Sequence, residues 1–205
     1  MITFEKVTKK FGEIVALKEV TFKVASGEFV FLTGHSGAGK TTIIRLLTGE
    51  YLPTSGNIEV SSKIINQIPK KKLYLWRRKI GVVFQDYKLL PDRTIFENVS
   101  LPLGFTKVSS TDLKNKVEGA LNLVGLSERK NLFPSQLAGG ELQRACLARA
   151  VITAPEILLA DEPTGNLDPK NAQEVINLFK EINKRGTTLI MATHNREIVD
   201  LLKAE

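Results

Sequence analysis

The sequence predicts an α/β fold built on a largely parallel sheet, and three observations predict it. Phe29-Val-Phe-Leu-Thr33, Ile157-Leu-Leu-Ala160 and residues 188–192 are continuous apolar runs, the pattern of strands buried on both faces. Segments of helical spacing alternate with these strands, as a mainly parallel sheet requires. A glycine-rich stretch joins the first run to a helix, giving the order strand, tight turn, helix.

Each element has its own signal. Residues 2–7 and 20–24 alternate apolar and polar side chains, as half-buried strands do. Ser26-Gly27 marks a turn before the first continuous run. Residues 41–48 read as a helix with Ile43, Ile44, Leu46 and Leu47 apolar. Pro53-Thr-Ser-Gly56 is a turn, 57–60 a short strand, and 80–84 another apolar run with Gln85 at its end. From about 92 to 150 helical spacing takes over, as in Leu113, Val117, Leu121 and Val124, with Gly125 and Pro134 as punctuation. This stretch reads as an inserted helical subdomain. The sheet resumes at 157–160, followed by a helix over 172–183, the strand 188–192 and a short helix over 197–202.

Composition bounds the function. The 205 residues, 42% hydrophobic and 25% charged, suit one domain, 1–205, with a sizeable core. No apolar run approaches the roughly 20 residues that span a bilayer. Met1-Ile-Thr-Phe-Glu5 lacks a secretory signal pattern, so a cytoplasmic location is expected. The single cysteine, Cys146, sits among Ala145, Leu147 and Ala148 and reads as helix packing. The net charge of +7 is concentrated in part at Lys70-Lys-Lys72 and Arg77-Arg-Lys79. A solvated face is the default reading, an anionic membrane surface the next. Specific nucleic-acid binding is not expected, because no recognised reading motif accompanies the charge.

Gly34-His-Ser-Gly-Ala-Gly-Lys-Thr41 matches the phosphate-binding loop G-x-x-x-x-G-K-[ST] without a gap. Gly34, Gly37 and Gly39 let the backbone curl so that N–H groups face phosphates, and the following helix adds positive potential. Lys40 is expected to reach the β- and γ-phosphates of ATP, and the Thr41 hydroxyl to ligate Mg2+. Ser36, Ala38 and Thr42 belong to the same cradle. His35 holds a variable position there and carries no catalytic role. Asp161 and Glu162 end the run 157–160, where open α/β sheets bind ligands. Asp161 is expected to hold Mg2+, and Glu162 to act as the base that polarises the attacking water. Asp168 precedes Pro169, as a helix N-cap does.

Leu137-Ala-Gly-Gly-Glu141 just ahead of Leu158-Leu-Ala-Asp-Glu162, together with the loop at 34–41, resembles the ATP-binding cassette (ABC) ATPase family. The motifs cover nearly the whole chain in family order. The resemblance implies a P-loop NTPase with a parallel core sheet, an antiparallel β subdomain and a helical signature subdomain at about 92–150. It implies that His194 contacts the γ-phosphate, and that Gln85 lies near Mg2+ and water. It also implies that Phe11 stacks on adenine; Phe11 as a plain core residue is the alternative. Leu137, Ala138, Gly139, Gly140 and Glu141 would face the ATP of the opposite subunit in a head-to-tail homodimer, with Asp168 in the loop that crosses the interface.

The loop at 34–40, Phe84-Gln-Asp86, Leu89-Leu90, Asp92-Arg-Thr94 and Pro163-Thr-Gly-Asn-Leu-Asp168 narrow the resemblance to bacterial cell-division cassettes of the FtsE type. That implies an integral membrane partner, FtsX, membrane association through it, a place on the cytoplasmic face of the inner membrane at the septum, and control of peptidoglycan hydrolases. Residues 85–98 would then face the groove that receives the partner, with Tyr87, Leu89, Leu90 and Phe96 as contacts or as core. Lipoprotein-release and macrolide-export ATPases are the nearest alternative, and an ATP clamp with little turnover another. A DNA-repair cassette fits poorly, because the segment between Gln85 and Gln136 lacks sustained heptads. Three departures stand out: Ala138 replaces the usual signature serine, Leu142 a common glutamine, and the chain ends soon after His194, where relatives add a strand pair.

Overall fold

The computed structural model describes residues 1–195 and Val199. Its centre is a parallel sheet of β3 (Phe29–Thr33), β8 (Thr188–Thr193), β7 (Ile157–Asp161) and β6 (Ile80–Val83), hydrogen-bonded in that order. A second, antiparallel sheet runs β2 (Ile14–Val24), β1 (Ile2–Phe11), β4 (Ser55–Val60), β5 (Lys63–Ile64).

The continuous apolar runs of β7 and β8 have a direct cause: both of their faces are covered, whereas β3, expected to be buried in the same way, is only half-buried. Ile157, Leu159, Ile190 and Ala192 point into a core shared with β1, β4 and α1 (Lys40–Leu47). Leu158, Ala160, Leu189 and Met191 point into the opposite core, filled by α4 (Ser110–Leu123), α5 (Gly139–Val151) and α6 (Pro169–Lys184). Two short helices, α2 (Leu73–Arg77) and α3 (Ile95–Ser100), flank β6 and open the helical segment. Thr94 caps α3 and Glu97 returns to the Thr94 N–H at 2.8 Å, a reciprocal capping box.

The first two strands are longer than the alternation at 2–7 and 20–24 suggests. Register shifts after Phe4, Val7 and Lys9 break the period-two pattern while the β1–β2 hairpin continues to Phe11 and Ile14. The helix expected from Ala172 starts at Pro169, with Asp168 as its cap. The helix expected over 197–202 lies outside the described residues, Val199 apart. Tyr87, Leu89 and Phe96 pack against the core, whereas Leu90 is exposed.

Candidate active site

The glycine-rich loop lies between the end of β3 and the start of α1. Gly39 caps α1 at φ 90°, a left-handed conformation. A Cβ there would sit 2.7 Å from Leu17 Cδ2 and 2.8 Å from the Ala16 carbonyl, so only glycine fits. No side chain caps α1 and no acidic residue occupies its first turn, which suits the helix end to an anion. The Lys40 ammonium folds back over the loop, donating to the carbonyls of Gly34 (2.7 Å) and His35 (3.2 Å).

Strand β7 brings the acids to this loop, and β8 brings His194. Thr41 Oγ1 donates to Asp161 Oδ1 at 3.1 Å, joining positions 120 apart in sequence. Burial raises the Asp161 carboxyl above the ordinary carboxylate range, and the neighbouring Glu162 charge pushes the same way. Thr41, Lys40 and Arg45 oppose it. Glu162 sits at φ 48°, its N–H bonded to the Ala192 carbonyl at 2.9 Å. One carboxylate oxygen lies 3.4 Å from Lys40 Nζ, and the other 2.9 Å from His194 Nδ1 and 3.2 Å from the His194 N–H. Glu162 is thus fixed between a cation and an imidazole, on a backbone conformation that strained sites show.

These groups line one cleft of about 470 Å³, with His35, Ser36, Gly37, Gly39, Thr42, Gln85 and Ala16. Gly34 and Ala38 support the loop without lining it. Phe11 is no core residue: it is 40% exposed at the end of β1, edge-on to Tyr51 at 5.1 Å, and outside the cleft.

Leu137, Ala138, Gly139, Gly140, Glu141 and Asp168 do not line the cleft either. Ala138 is the N-cap of α5 and offers no side-chain cap. Glu141 accepts from the Ala138 N–H at 3.0 Å and from Arg129 Nε at 3.0 Å, contacts that lower its carboxyl, the Ala138 bond more than the Arg129 one. Asp168 accepts from the backbone N–H groups of Lys170 and Asn171, each at 3.1 Å, and bonds to Asn171 lower its carboxyl too.

Sequence reasoning missed two residues around the site, Arg45 and Arg149. Arg45, one turn after Thr41, shares a second cleft with Gln85, Asp161 and Asn166; helical i,i+4 spacing was the available signal. Arg149 of α5 donates to the carbonyls of Tyr87 (2.8 Å) and Lys88 (2.5 Å), and Cys146 Sγ donates to Tyr87 as well (3.0 Å). Burial pushes the Cys146 thiol up to about 12, which agrees with a packing role. Tyr87 and Lys88 both have positive φ, so the segment just after Gln85 is held in a kinked form by the signature helix.

A model of the ABC transporter family matches residues 17–165. The chain belongs to the ABC transporter ATPase family. The cassette is 46% identical over 200 residues to the cell-division ATP-binding protein FtsE of Escherichia coli K12, covering 97% of this chain and 90% of that one. It is 45% identical to FtsE of Bacillus subtilis, covering 99% and 90%, and 42% identical to FtsE of Mycobacterium tuberculosis, covering 99% and 89%. A solved dimer of the cassette MJ0796 bound to ADP and Pi superposes with TM-score 0.89 at 36% identity, covering 97% and 90%. CbiO1 of Clostridium perfringens does so with TM-score 0.90 at 30% identity, covering 98% and 80%. The cassette is therefore an ATP-binding and ATP-hydrolysing enzyme, and its two sheets and helices are those of the family.

Proposed function

We propose that this cassette is the ATP-driven subunit of a cell-division complex, working as a head-to-tail homodimer on the cytoplasmic face of the bacterial inner membrane at the septum. Identity of 42–46% to FtsE proteins over nearly the whole chain carries the reading. The membrane partner is FtsX, through which ATP-driven closure controls peptidoglycan hydrolases outside. The whole chain acts as one nucleotide-binding domain, with 92–150 as its signature arm. Among the described residues no helix is long and apolar enough to cross a membrane, and the proposed partner supplies a membrane-spanning anchor.

The cleft supports the following chemistry. Lys40 and the N–H groups of the loop hold the phosphates, and Phe11, exposed at the end of β1 beyond the cleft, stacks on adenine. Glu162 polarises the attacking water, while His194 and Gln85 position the γ-phosphate and that water. The hard oxygen donors Thr41 and Asp161, 3.1 Å apart, with Gln85 in the same cleft, suit Mg2+. Among the described residues no cluster of three or more His, Cys, Asp or Glu could hold a metal alone, and the phosphates of ATP would supply further oxygen donors. Bound there, Mg2+ neutralises charge on the β- and γ-phosphates. Leu137–Glu141 and Asp168 lie off the cleft of their own chain, which supports their serving the ATP of the other. ATP closes the dimer and hydrolysis reopens it.

A groove of about 560 Å³ beside β6 suits the partner. Tyr74, Arg77, Arg78, Phe84, Lys88 and Phe105 are among its walls. Gln85 follows directly, so an occupant that shifts residues 84–88 moves a residue of the ATP cleft. The test is to isolate tagged Glu162→Gln protein from gently solubilised membranes with ATP and identify what accompanies it. An FtsX-like protein is expected. A lipoprotein-release or export permease would overturn the division assignment.

A further inference from the structure

Between Glu59 and Asp86 the chain contains no acidic residue and seven basic ones, Lys63, Lys70, Lys71, Lys72, Arg77, Arg78 and Lys79. The whole chain holds 29 basic and 22 acidic residues. The remainder therefore balances at 22 of each, and this one stretch carries the entire net charge of +7.

Apart from Lys79, the fold does not pair this charge with acidic side chains among the described residues. Lys63, Lys70, Lys71 and Lys72 are exposed, and no acidic side chain pairs with them among the described residues. Arg77 donates to the carbonyls of Thr48 and Gly49, Lys79 pairs with Glu156, and Arg78 lies 5.2 Å over the Tyr74 ring. Helix α2 places two large apolar side chains among these cations. Tyr74 is 55% and Leu75 48% exposed. The helix is held from below by Trp76, buried and donating to the Leu47 carbonyl at 2.8 Å. A firmly seated element thus presents an aromatic and a leucine ringed by uncompensated lysines, the composition of a segment lying in a membrane interface.

We infer that the surface around Lys63, Lys70–Lys72, Tyr74 and Leu75 rests on the anionic headgroups of a bilayer, with Tyr74 and Leu75 entering the interface. A polyanion such as nucleic acid would match the lysines but not the apolar pair. The choice of lipid also rests on the proposed partner: Tyr74 and Arg77 of the same helix, and Arg78 just after it, line the groove assigned to a membrane protein. Seating that protein brings the patch to the bilayer. Lipid contact would orient the cassette and hold it near the membrane between encounters.

Flotation of the full chain with vesicles tests this. Vesicles of equal phosphatidylglycerol and phosphatidylcholine should carry the protein upward in low salt, and pure phosphatidylcholine should not. Binding should weaken steeply between about 0.1 M and 0.5 M salt. Each basic residue near such a surface contributes roughly fivefold, so replacing Lys70, Lys71 and Lys72 by Gln should reduce partitioning about a hundredfold. That variant should keep its melting temperature and its basal ATP turnover, because none of the three touches the ATP cleft. No flotation on anionic vesicles, or flotation indifferent to the triple replacement, would overturn the inference. So would retention by duplex DNA or an acidic peptide without flotation. Phe105→Asp probes the groove separately: loss of the membrane partner with vesicle binding intact supports both readings. Partner capture that survives Phe105→Asp overturns the groove reading alone.

Discussion

Ala138→Ser is the most informative single change, because one atom should act on two quantities. Ala138 already has N-cap geometry, φ −71° and ψ 159°, and Glu141 already returns to its N–H at 3.0 Å. Half of a capping box is built; a methyl stands where a hydroxyl would accept from the Glu141 N–H. Restoring an N-cap hydroxyl stabilises a helix by about 1 kcal/mol. For a protein of 150–250 residues that raises the melting temperature by about 2–4 °C. The same hydroxyl retains its proton as a donor. In the proposed dimer that proton faces the γ-phosphate of the other chain. A hydrogen bond to a charged group contributes about 1.5–3 kcal/mol, so turnover should rise roughly ten- to 150-fold if the bond forms in the transition state. Calorimetry without nucleotide reads the first effect, and phosphate release with the membrane partner reads the second. Unchanged melting refutes the capping argument. Raised melting with unchanged turnover refutes the facing of Ala138 toward the opposite ATP.

Two further predictions follow from the cleft and its frame. Burial holds Asp161 above the ordinary range, so its ionisation opposes folding: the penalty is absent below the unfolded-state value and develops as pH rises through the folded one. Asp161→Asn should therefore melt above the unchanged protein at pH near 7 without nucleotide, with the advantage vanishing near pH 4. It should also lose the magnesium dependence of ATP binding, and a lower melting temperature at neutral pH would contradict the argument. A Cβ on Gly81 would lie 2.3 Å from the Ala150 carbonyl, so Gly81→Ala must push α5 away from β6. Urea unfolding should show a loss of about 1–3 kcal/mol or more, and an unaltered midpoint would mean that the helix is not fixed at this contact.

The sequence revealed the parallel sheet because burial on both faces leaves continuous apolar runs at 157–160 and 188–192, whereas the equally apolar Phe29–Thr33 is only half-buried. It concealed the length of β1 and β2, where bulges interrupt the alternation. That the loop at 34–41, Asp161 and Glu162 meet in one cleft was legible from motif type and spacing, and that His194 joins them from the family resemblance. Arg149 was not, because its role is to grip two backbone carbonyls, and nothing in the identities of Tyr87 and Lys88 announces that they turn through positive φ. The basic residues of 63–79 were visible, but only the exposure of Tyr74 and Leu75 and the inward turn of Trp76 define the surface they form.

In the proposed dimer each ATP site is shared between two chains. Lys40→Ala removes the phosphate cation from the cleft, and Ala138→Glu places a carboxylate on the exposed signature end. Each variant alone should be inactive. Mixed together, they form some dimers in which one chain supplies an intact 34–41 loop and the other an intact signature. Phosphate release should then reappear in the mixture, in proportion to the heterodimer present. A mixture as inactive as its components, although heterodimers form, would contradict the shared site.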